Sequence, residues 1–381
     1  MRSSYSEEDV ILLLKDITGL VEPQPAKVRE KLIQSGKHYS EMLPVEYVPT
    51  DQYMQVYHNA LKHYAKPVAN AVGMLADKII ENKGKKIVLV SLARAGIPIG
   101  ILVKRYIKFK YGINVPHYSI SIIRGRGIDD NAMKYLLEKY RPQQILFVDG
   151  WIGKGAILNE LKKDISAYEG VSADIAVVAD PANVTELCGT HEDILIPSSC
   201  LNSTVSGLIS RTFLRDDIIG RDDFHGAVYY GELTDSDLSY DFIETIEKEF
   251  NMENTPDLEK RVESQGIDEV INIGKNFGID DINLIKPGIG ETTRVLLRRI
   301  PWKVLIDERY KGNPQLEHIV RLAEEKHTPV EYYPLTHYKC CGIIKKLADA
   351  WMALITGTFY HYRDTKLFQF LFHLRIMMDH S

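Results

Sequence analysis

Between residues 86 and 179 the sequence alternates short apolar runs with segments of helical periodicity. The pattern predicts strands at 86–91, 117–123, 144–149 and 174–179, separated by helices at 97–110, 130–140 and 155–166. This alternation is typical of an α/β fold with a doubly wound, mostly parallel sheet. Ligands of such sheets bind beyond the carboxyl ends of the strands, and the glycine-rich loops of this chain fall at those ends.

The apolar run 145–148 ends in Asp149 and continues into a loop that carries three glycines and Lys154. Four consecutive apolar residues indicate a strand that is buried on both faces. The glycines let backbone amides converge on an anion, and the helix predicted from Ala156 adds its N-terminal dipole. The segment therefore predicts a carboxylate beside a phosphate-binding loop.

Two other strand ends carry loops suited to phosphate. In the loop 91–96, Arg94 and the backbone amides can bind a pyrophosphate. In the loop 121–129, two arginines stand among glycines, so this loop can close over a polyanion and shield it from water. A P-loop NTPase does not fit, because the loop after Asp149 lacks the four-residue gap and the Ser or Thr after lysine.

Composition limits the classes of protein that the chain can belong to. With 45% apolar and 26% charged residues, it has the profile of a soluble globular protein. The net charge of -5 gives no general attraction to nucleic acid. We expect no signal peptide, because the first residues form no apolar core preceded by basic residues. No apolar run approaches the roughly 20 residues of a membrane helix. The 4 cysteines are too few and too unevenly placed for a disulfide framework or a zinc site, which favours a reducing cytoplasm.

A chain of 381 residues predicts two or three domains. We predict a lead-in that wraps the first domain over 1–50, a first α/β domain with a hood over 51–235, an acidic helical linker over 236–266, a second small α/β domain over 267–350 and an apolar helical tail over 351–381. Within them we predict a long helix at 51–82, strands near 269–273, 302–306 and 330–333, and helices near 291–298, at 314–325 and from 342. The tail suggests a homo-oligomer interface. Cys340 and Cys341 are interpreted as small apolar residues of a buried strand.

Together the three loops resemble those of the phosphoribosyltransferase family, whose type I fold carries a pyrophosphate loop, a mobile catalytic loop and a phosphate loop. The resemblance implies transfer of ribose 5-phosphate from phosphoribosyl diphosphate to a small, nucleobase-like acceptor, or the reverse reaction. It also implies Mg²⁺, which would be held through the pyrophosphate, and no protein side chain other than Asp149 is considered as its ligand. The family usually has a second acid where this chain has Gly150, and a threonine where it has Lys154.

This resemblance assigns roles residue by residue. Catalysis would rest on Asp149, Arg124, Arg126 and Lys154. The 5′-phosphate would be bound by Gly150, Trp151, Ile152, Gly153, Gly155 and Ala156. The pyrophosphate would be bound by Ser91, Ala93, Arg94, Ala95 and Gly96.

Over nearly the whole chain the resemblance narrows to a bacterial family of tellurium-resistance-type operons, in which a phosphoribosyltransferase-like domain is fused to a pelota-type, RNA-binding-like domain. It is carried by the three loops and by the segments 38–42, 196–207 and 286–294. The operon setting of the family implies biosynthesis of a nucleoside-like metabolite. Some members of the family carry the label cysteine protease StiP.

The segment around Cys200 allows a peptidase as an alternative. A cysteine nucleophile needs a histidine base, and His191 and His225 lie near Cys200 in sequence together with Asp193 and Asn202. A cysteine in this setting is more often structural, so we interpret the segment as a hood over the acceptor. The hood set comprises Asp180, Cys200, Asn202, Ser203, Thr204, Arg211, His38 and Tyr39. Asp180 can equally be a helix cap, and the last two can belong to a hydrogen-bonded lead-in.

In the second domain a glycine turn and clustered cations suit an RNA backbone. The same residues equally suit a capped helix with solvated arginines. The set comprises Lys286, Gly288, Gly290, Thr293, Arg294 and Arg298. Two alternatives to the transferase stay open: a non-catalytic module that binds a phosphoribosyl compound or RNA, and a cysteine peptidase that uses Cys200.

Overall fold

A computed structural model describes residues 1–25, 28–29, 32–33, 35–254 and 263–346. The tail predicted over 351–381 lies outside these residues. The described strands are β1 (Ile11–Leu12), β2 (Lys15–Asp16), β3 (Val88–Ala93), β4 (His117–Ile123), β5 (Gly127–Ile128), β6 (Ile145–Trp151), β7 (Ile175–Ala179), β8 (Cys188–Thr190), β9 (Gly226–Ala227), β10 (Ile285–Pro287), β11 (Pro301–Ile306), β12 (Val330–Tyr332) and β13 (Cys340–Ile344). The helices are α1 (Asp51–Lys83), α2 (Gly96–Tyr111), α3 (Asp130–Lys139), α4 (Ala156–Ile165), α5 (Ser239–Glu247), α6 (Gly266–Phe277), α7 (Ile289–Arg298) and α8 (Glu317–Glu325).

The first sheet has the order β1-β4-β3-β6-β7-β8, and every neighbouring pair along it is parallel. From β4 to β8 this is the doubly wound order 2-1-3-4-5, in which the direction of winding reverses between β3 and β6. The mixed α/β fold with a parallel central sheet is therefore confirmed. Ligand sites of such sheets lie beyond the carboxyl ends of the two strands at the reversal.

The predicted strand and helix pattern of this sheet is also confirmed. All four residues of the apolar run 145–148 are buried, as expected for a strand covered by helices on both faces. Helix α1 covers one face with a fully buried row, of which Val68, Val72 and Leu75 are members. At Gly189 the backbone of β8 touches this helix, since an added Cβ would lie 2.1 Å from the backbone oxygen of Ala71.

The second sheet has the order β10-β13-β11-β12. Two predictions were wrong there. The strand predicted near 269–273 is part of helix α6, whose inner face carries Val270, Ile273 and Gly274 at helical spacing. The helix predicted from 342 overlaps strand β13, a central strand with all five residues buried. The interpretation of Cys340 and Cys341 as buried strand residues is confirmed.

The second unit, residues 263–346, packs against the carboxyl edge of the first sheet. The Asp193 carboxylate accepts hydrogen bonds from the backbone N–H groups of Ile289, at 2.9 Å, and Lys339, at 2.8 Å. The Tyr338 hydroxyl donates to the backbone oxygen of Gly153 at 2.7 Å. The ligand edge of the first sheet is therefore also the junction between the two units. No helix among the described residues is long and apolar enough to cross a membrane.

Candidate functional site

The two loops at the winding reversal touch each other. A Cβ added at Gly96 would lie 2.5 Å from the backbone oxygen of Val148, and one added at Gly150 would lie 3.6 Å from that of Ala95. Beside them lies a junction pocket of about 300 Å³, lined by both units. Four cations line it: Arg124, Lys154, Lys286 and Arg294. The chain therefore builds a cationic pocket at the edge where the sequence predicted an anion site.

Asp149 lies at the end of β6 and lines this pocket. Burial raises the pKa of its carboxyl to about 7, although the Gly150 N–H donates to its Oδ1 at 2.8 Å. Mg²⁺ prefers charged oxygen donors, and a bound Mg²⁺ would itself favour the ionised carboxylate. Binding of Mg²⁺ near Asp149 stays a prediction.

Lys154 is committed to the junction. Its ammonium donates to the backbone oxygens of Ile282 and Ile285 in the second unit, the latter at 3.2 Å. Burial lowers its pKa to about 8. The loop around Lys154 includes the buried Ile152 and then Gly155, whose left-handed φ of 84° places it as the N-cap of α4. The lysine predicted to bind phosphate thus binds main-chain oxygens of the second unit.

The loop predicted for pyrophosphate is tied to the hood. Arg94 donates to the backbone oxygen of Ile209 at 2.8 Å and to Asn202 Oδ1 at 3.1 Å. The Ser91 hydroxyl lies 2.7 Å from His117 Nε2 inside the core. The peptide bond between Ala93 and Arg94 is cis, and α2 begins at Gly96. Arg94 therefore connects the sheet edge to the hood.

The two arginines of the loop 121–129 also have protein partners. Arg124 donates to Asn283 Oδ1 at 3.2 Å, and Arg126 pairs with the Glu41 carboxylate. The N-terminal lead-in also contacts this loop, since the Arg124 backbone N–H donates to the Tyr39 hydroxyl at 2.9 Å. His38 Nε2 lies 3.2 Å from the Arg124 backbone oxygen. Of the two alternatives for His38 and Tyr39, these contacts fit a hydrogen-bonded lead-in rather than an acceptor site.

The remaining hood residues mainly hold the hood together. The Ser203 hydroxyl donates to Glu46 Oε1 at 3.0 Å, and Thr204 is buried. Arg211 donates to the backbone oxygens of Tyr39, at 3.0 Å, and Met42, at 3.1 Å. Burial lowers the pKa of Arg211 to about 10. Ser203 and Arg211 therefore bond to the protein itself, whereas the buried Thr204 hydroxyl has no hydrogen-bond partner among the described residues.

The predicted RNA-binding residues lie along the junction. Arg298 donates to Asn202 Oδ1 at 2.8 Å and to the Cys200 backbone oxygen at 2.9 Å. The buried Thr293 hydroxyl donates to the Ile289 backbone oxygen at 2.8 Å. Lys286 and Arg294 line the pocket, Gly288 faces Asp193, and Gly290 faces Ser199. These residues lie at the junction because α7, which carries Arg294 and Arg298, packs against the segment that contains Cys200 and Asn202.

Cys200 lacks the surroundings of a nucleophile. It is fully buried, and burial raises the pKa of its thiol to about 12. The described part of the chain places no histidine nitrogen within hydrogen-bond distance of its sulfur. Of its neighbours in sequence, Asp193 binds the second unit and His225 Nδ1 lies 2.8 Å from the Ser121 hydroxyl. Sequence proximity did not translate into a catalytic arrangement.

A different cysteine has a histidine partner. Cys188 Sγ, in β8, lies 3.3 Å from His191 Nε2, and His191 Nδ1 lies 3.0 Å from the backbone oxygen of Asp180. The Asp180 Oδ2 accepts from the N–H groups of Val184, at 2.7 Å, and Thr185, at 2.8 Å, so Asp180 does serve as a turn cap. We call these three residues, Asp180, Cys188 and His191, the thiol site. Sequence reasoning missed it, although the Cys-x-x-His spacing was visible.

The geometry of the thiol site assigns the protons. A backbone carbonyl can only accept, so His191 Nδ1 carries the proton and Nε2 is the unprotonated nitrogen. Cys188 Sγ lies 3.3 Å from Nε2 and 3.8 Å from Nδ1, so it stands beside the ring rather than on the axis of the Nε2 lone pair. The His191 side chain is 23% exposed, whereas Cys188 is buried. The arrangement brings a thiol next to a base, and a rotation of the Cys188 or His191 side chain is needed before Nε2 can take the thiol proton.

Comparison with known proteins identifies the relatives of this chain. A family model described as "Tellurite-like stress resistance cysteine protease StiP" matches residues 3–247, and a model of the PELOTA RNA binding domain matches residues 264–346. A protein named cysteine protease StiP from Acinetobacter baylyi is 33% identical over 366 residues, which cover 90% of this chain and 94% of that relative.

Solved structures show weaker similarity. A hypoxanthine-guanine phosphoribosyltransferase from Bacillus anthracis is 18% identical and matches 33% of this chain and 77% of that chain, with a TM-score of 0.26. A corresponding enzyme from Leishmania tarentolae in complex with GMP is 14% identical and matches 36% of this chain and 76% of that chain, with a TM-score of 0.22.

These findings contradict the predicted activity. The family model and the relative from A. baylyi both name a cysteine protease, which is a hydrolase. The prediction of a phosphoribosyltransferase that uses phosphoribosyl diphosphate was wrong. The transferase activity was inferred from three loops that follow from the fold. One fold can serve many functions, so the loops alone did not establish the reaction.

Proposed function

The chain belongs to the StiP family of tellurite-like stress resistance cysteine proteases, and from this premise we propose that it is a cysteine peptidase with Cys188 as its nucleophile. One observation carries the proposal: Cys188 Sγ lies 3.3 Å from His191 Nε2. Cys200, the nucleophile considered from the sequence, has a buried thiol with a pKa raised to about 12, which keeps it protonated and inert.

The reaction follows from the positions of the protons. His191 Nε2 takes the thiol proton as Cys188 Sγ attacks the peptide carbonyl carbon. The carbon–nitrogen bond then breaks, and the leaving amine takes the proton from Nε2. Water hydrolyses the thioester and regenerates the thiol, with His191 again as the base. The Asp180 backbone oxygen holds the ring throughout and stabilises the imidazolium while it carries both protons.

Access to the sulfur is part of the proposal. Because Cys188 has no exposed surface, a peptide reaches it only when the segment around it moves. His191 is the partly exposed member of the site, so the substrate approaches from its side. We therefore expect iodoacetamide to alkylate Cys188 more slowly than an exposed cysteine of a model peptide, and faster than Cys200.

The test is a peptidase assay on an unstructured protein such as casein, followed by mass spectrometry of the products. We expect Cys188→Ala and His191→Ala each to lower kcat/KM at least about 100-fold, since both act as one unit. Cys200→Ala is the matched control, because it removes another buried thiol, and it should stay within about threefold of the unchanged chain. Full activity in Cys188→Ala, or loss confined to a folded Cys200→Ala, would overturn the assignment.

We also propose that residues 51–235 have the architecture of a type I phosphoribosyltransferase, with no claim to that activity. The strand order of the first sheet and the loops at its winding reversal support the proposal. An experimental structure checks it. A strand order other than β4-β3-β6-β7-β8 would contradict it.

RNA binding by the second unit is a second candidate function. The match to the PELOTA RNA binding domain supports it, and so do two exposed aromatic residues on neighbouring strands, Trp302 and Tyr332. Lys303 Nζ lies 5.0 Å from the Trp302 ring, and Lys311 Nζ lies 4.9 Å from the Tyr332 ring. Aromatic rings beside cations suit the stacking of single-stranded bases.

This candidate is tested by fluorescence anisotropy with a single-stranded RNA oligonucleotide at two salt concentrations. We expect Trp302→Ala to weaken binding by about 5- to 100-fold, the effect of losing one stacked base. Tyr47→Ala, which removes an exposed aromatic side chain from the first unit, is the control. Equal affinity of all three proteins, or no binding at low salt, would contradict RNA binding at this face.

A further inference from the structure

The thiol site has the donor set of a zinc site. One carboxylate oxygen of Asp180, the Cys188 sulfur and one ring nitrogen of His191 all lie within 4.8 Å of one another. Zinc–sulfur and zinc–nitrogen bonds of about 2.3 and 2.0 Å place the two donor atoms of a tetrahedral site about 3.5 Å apart. The sulfur and Nε2 here are 3.3 Å apart. The sulfur also lies 3.8 Å from Nδ1, beside the ring, so a rotation of the Cys188 or His191 side chain is needed for both atoms to bind one ion.

The surroundings of these donors also suit a metal. Zinc-binding histidines usually donate their second ring N–H to a backbone carbonyl or carboxylate, and His191 Nδ1 lies 3.0 Å from the Asp180 backbone oxygen. The Asp180 carboxylate is oriented by two backbone N–H groups, those of Val184 and Thr185. A thiolate and a carboxylate together neutralise a divalent ion, which removes most of the cost of burying its charge.

We propose that Asp180, Cys188 and His191 bind one zinc ion or a similar soft divalent cation, and that this ion inhibits the thiol site. The bound ion occupies the sulfur lone pair that would attack the substrate and the Nε2 lone pair that would take the proton. The inhibition rests on the proposed function, whereas the binding does not. The described residues supply three ligands for such an ion, and His191 is the partly exposed one.

Binding is measured on the full chain, reduced and stripped of metal with a chelator, by titration with Co²⁺. Cobalt bound to a thiolate gives a charge-transfer absorption, and competition with Zn²⁺ then gives the zinc affinity. We expect one ion per chain, no charge-transfer absorption in Cys188→Ala, and at least about tenfold weaker binding in His191→Ala. Cys200→Ala, the matched control, should bind like the unchanged chain. Absorption that persists in Cys188→Ala, or no saturable binding to the unchanged chain, would overturn the site.

Asp180→Asn needs a folding control because Asp180 also caps the turn that follows β7. Its binding is interpreted only beside its melting temperature. A folded Asp180→Asn with unchanged zinc affinity removes Asp180 from the ligand set and overturns the three-residue site.

The peptidase assay with one equivalent of Zn²⁺ separates the two proposals. Zinc binding that depends on Cys188, with no peptide cleavage in the metal-free chain, would keep the metal site and overturn the proposed function. Cleavage that depends on Cys188 and is not reduced by bound zinc would keep the proposed function and overturn the inhibition. Cleavage that falls with zinc occupancy and returns with a chelator supports both.

Discussion

Asp149 and Lys154 both line the junction pocket, and burial shifts the pKa of each toward its neutral form. The pKa of the carboxyl rises to about 7 and that of the ammonium falls to about 8. The lysine is compensated by two main-chain oxygens of the second unit, whereas the carboxyl receives one backbone N–H. A charged group that is buried with few hydrogen bonds lowers the free energy of unfolding. Proteins keep such groups where they bind a ligand or another part of the protein.

The sign of the Asp149 effect can be tested by pH. Below about pH 3 the carboxyl is protonated in both folded and unfolded chains, so it contributes no difference. Between pH 4 and about 7 the unfolded chain ionises first, so the folded state loses stability as the pH rises. We expect Asp149→Asn, which cannot ionise, to gain about 1 kcal/mol over the unchanged chain at pH 8, after allowance for partial solvent screening, and almost nothing at pH 4.5.

Urea unfolding at the two pH values measures this gain. Asp222→Asn, at an exposed position, is the control and should show no pH-dependent difference. A stability gap for Asp149→Asn that is the same at both pH values would show that the carboxyl is not the titrating group.

At the scale of elements, β8 and α1 determine where the thiol site stands. The strand carries Cys188, and Gly189 brings its backbone against the helix, so that an added Cβ would lie 2.1 Å from the Ala71 oxygen. The obstacle is backbone, which cannot rotate away. We expect Gly189→Ala to push β8 from the helix, to lower stability by about 2–3 kcal/mol, and to lower both peptidase activity and cobalt binding.

Gly153→Ala is the matched control, because the nearest atom to its added Cβ lies 3.8 Å away on the flexible Glu291 side chain. Thermal unfolding and the two activity measurements are compared for both variants. Peptidase activity that survives in a destabilised Gly189→Ala would contradict the dependence of the thiol site on this contact.

The elements also show how far the sequence could predict the fold. The strands of the first sheet and their loops could be located because a parallel sheet buries unbroken apolar runs. The segment near 269–273 was misread as a strand, since its apolar residues Val270, Ile271 and Ile273 fit either period in so short a stretch. Likewise β13, the central strand of a small sheet, is apolar on both faces and carries no alternation that separates it from a buried helix.

The site was harder to predict than the fold. Cys188 lies in β8 and His191 directly follows this strand, but nothing in the sequence says that the imidazole lies against the sulfur. Lys154 and Arg298 were predicted to bind phosphate groups because they stand near glycine-rich turns. In the structure both donate to backbone oxygens across the junction between the units. Sequence reasoning had no means to know that the second unit covers the carboxyl edge of the first sheet.

At the scale of the whole molecule, the junction between the two units includes a buried carboxylate, that of Asp193. Its two carboxylate oxygens accept from the N–H groups of Ile289 and Lys339, one at the start of α7 and one before β13, and all three groups are withdrawn from water. Removal of the carboxylate leaves two buried donors unsatisfied, each worth about 1–3 kcal/mol. The second unit has a core of its own around Val270, Ile285 and Leu305, whereas the buried side chains of α7 and α8, such as Leu296 and Ile319, belong to the same cluster as the core of the first unit.

Because the two units share this buried cluster, we expect Asp193→Ala to unfold in one calorimetric transition at a lower temperature, with a free energy of unfolding reduced by about 2–6 kcal/mol. Asp222→Ala, which removes an exposed carboxylate, should keep the transition at the original temperature. An unchanged transition temperature in Asp193→Ala would mean that Lys154, Arg298 and Tyr338 hold the units together without it.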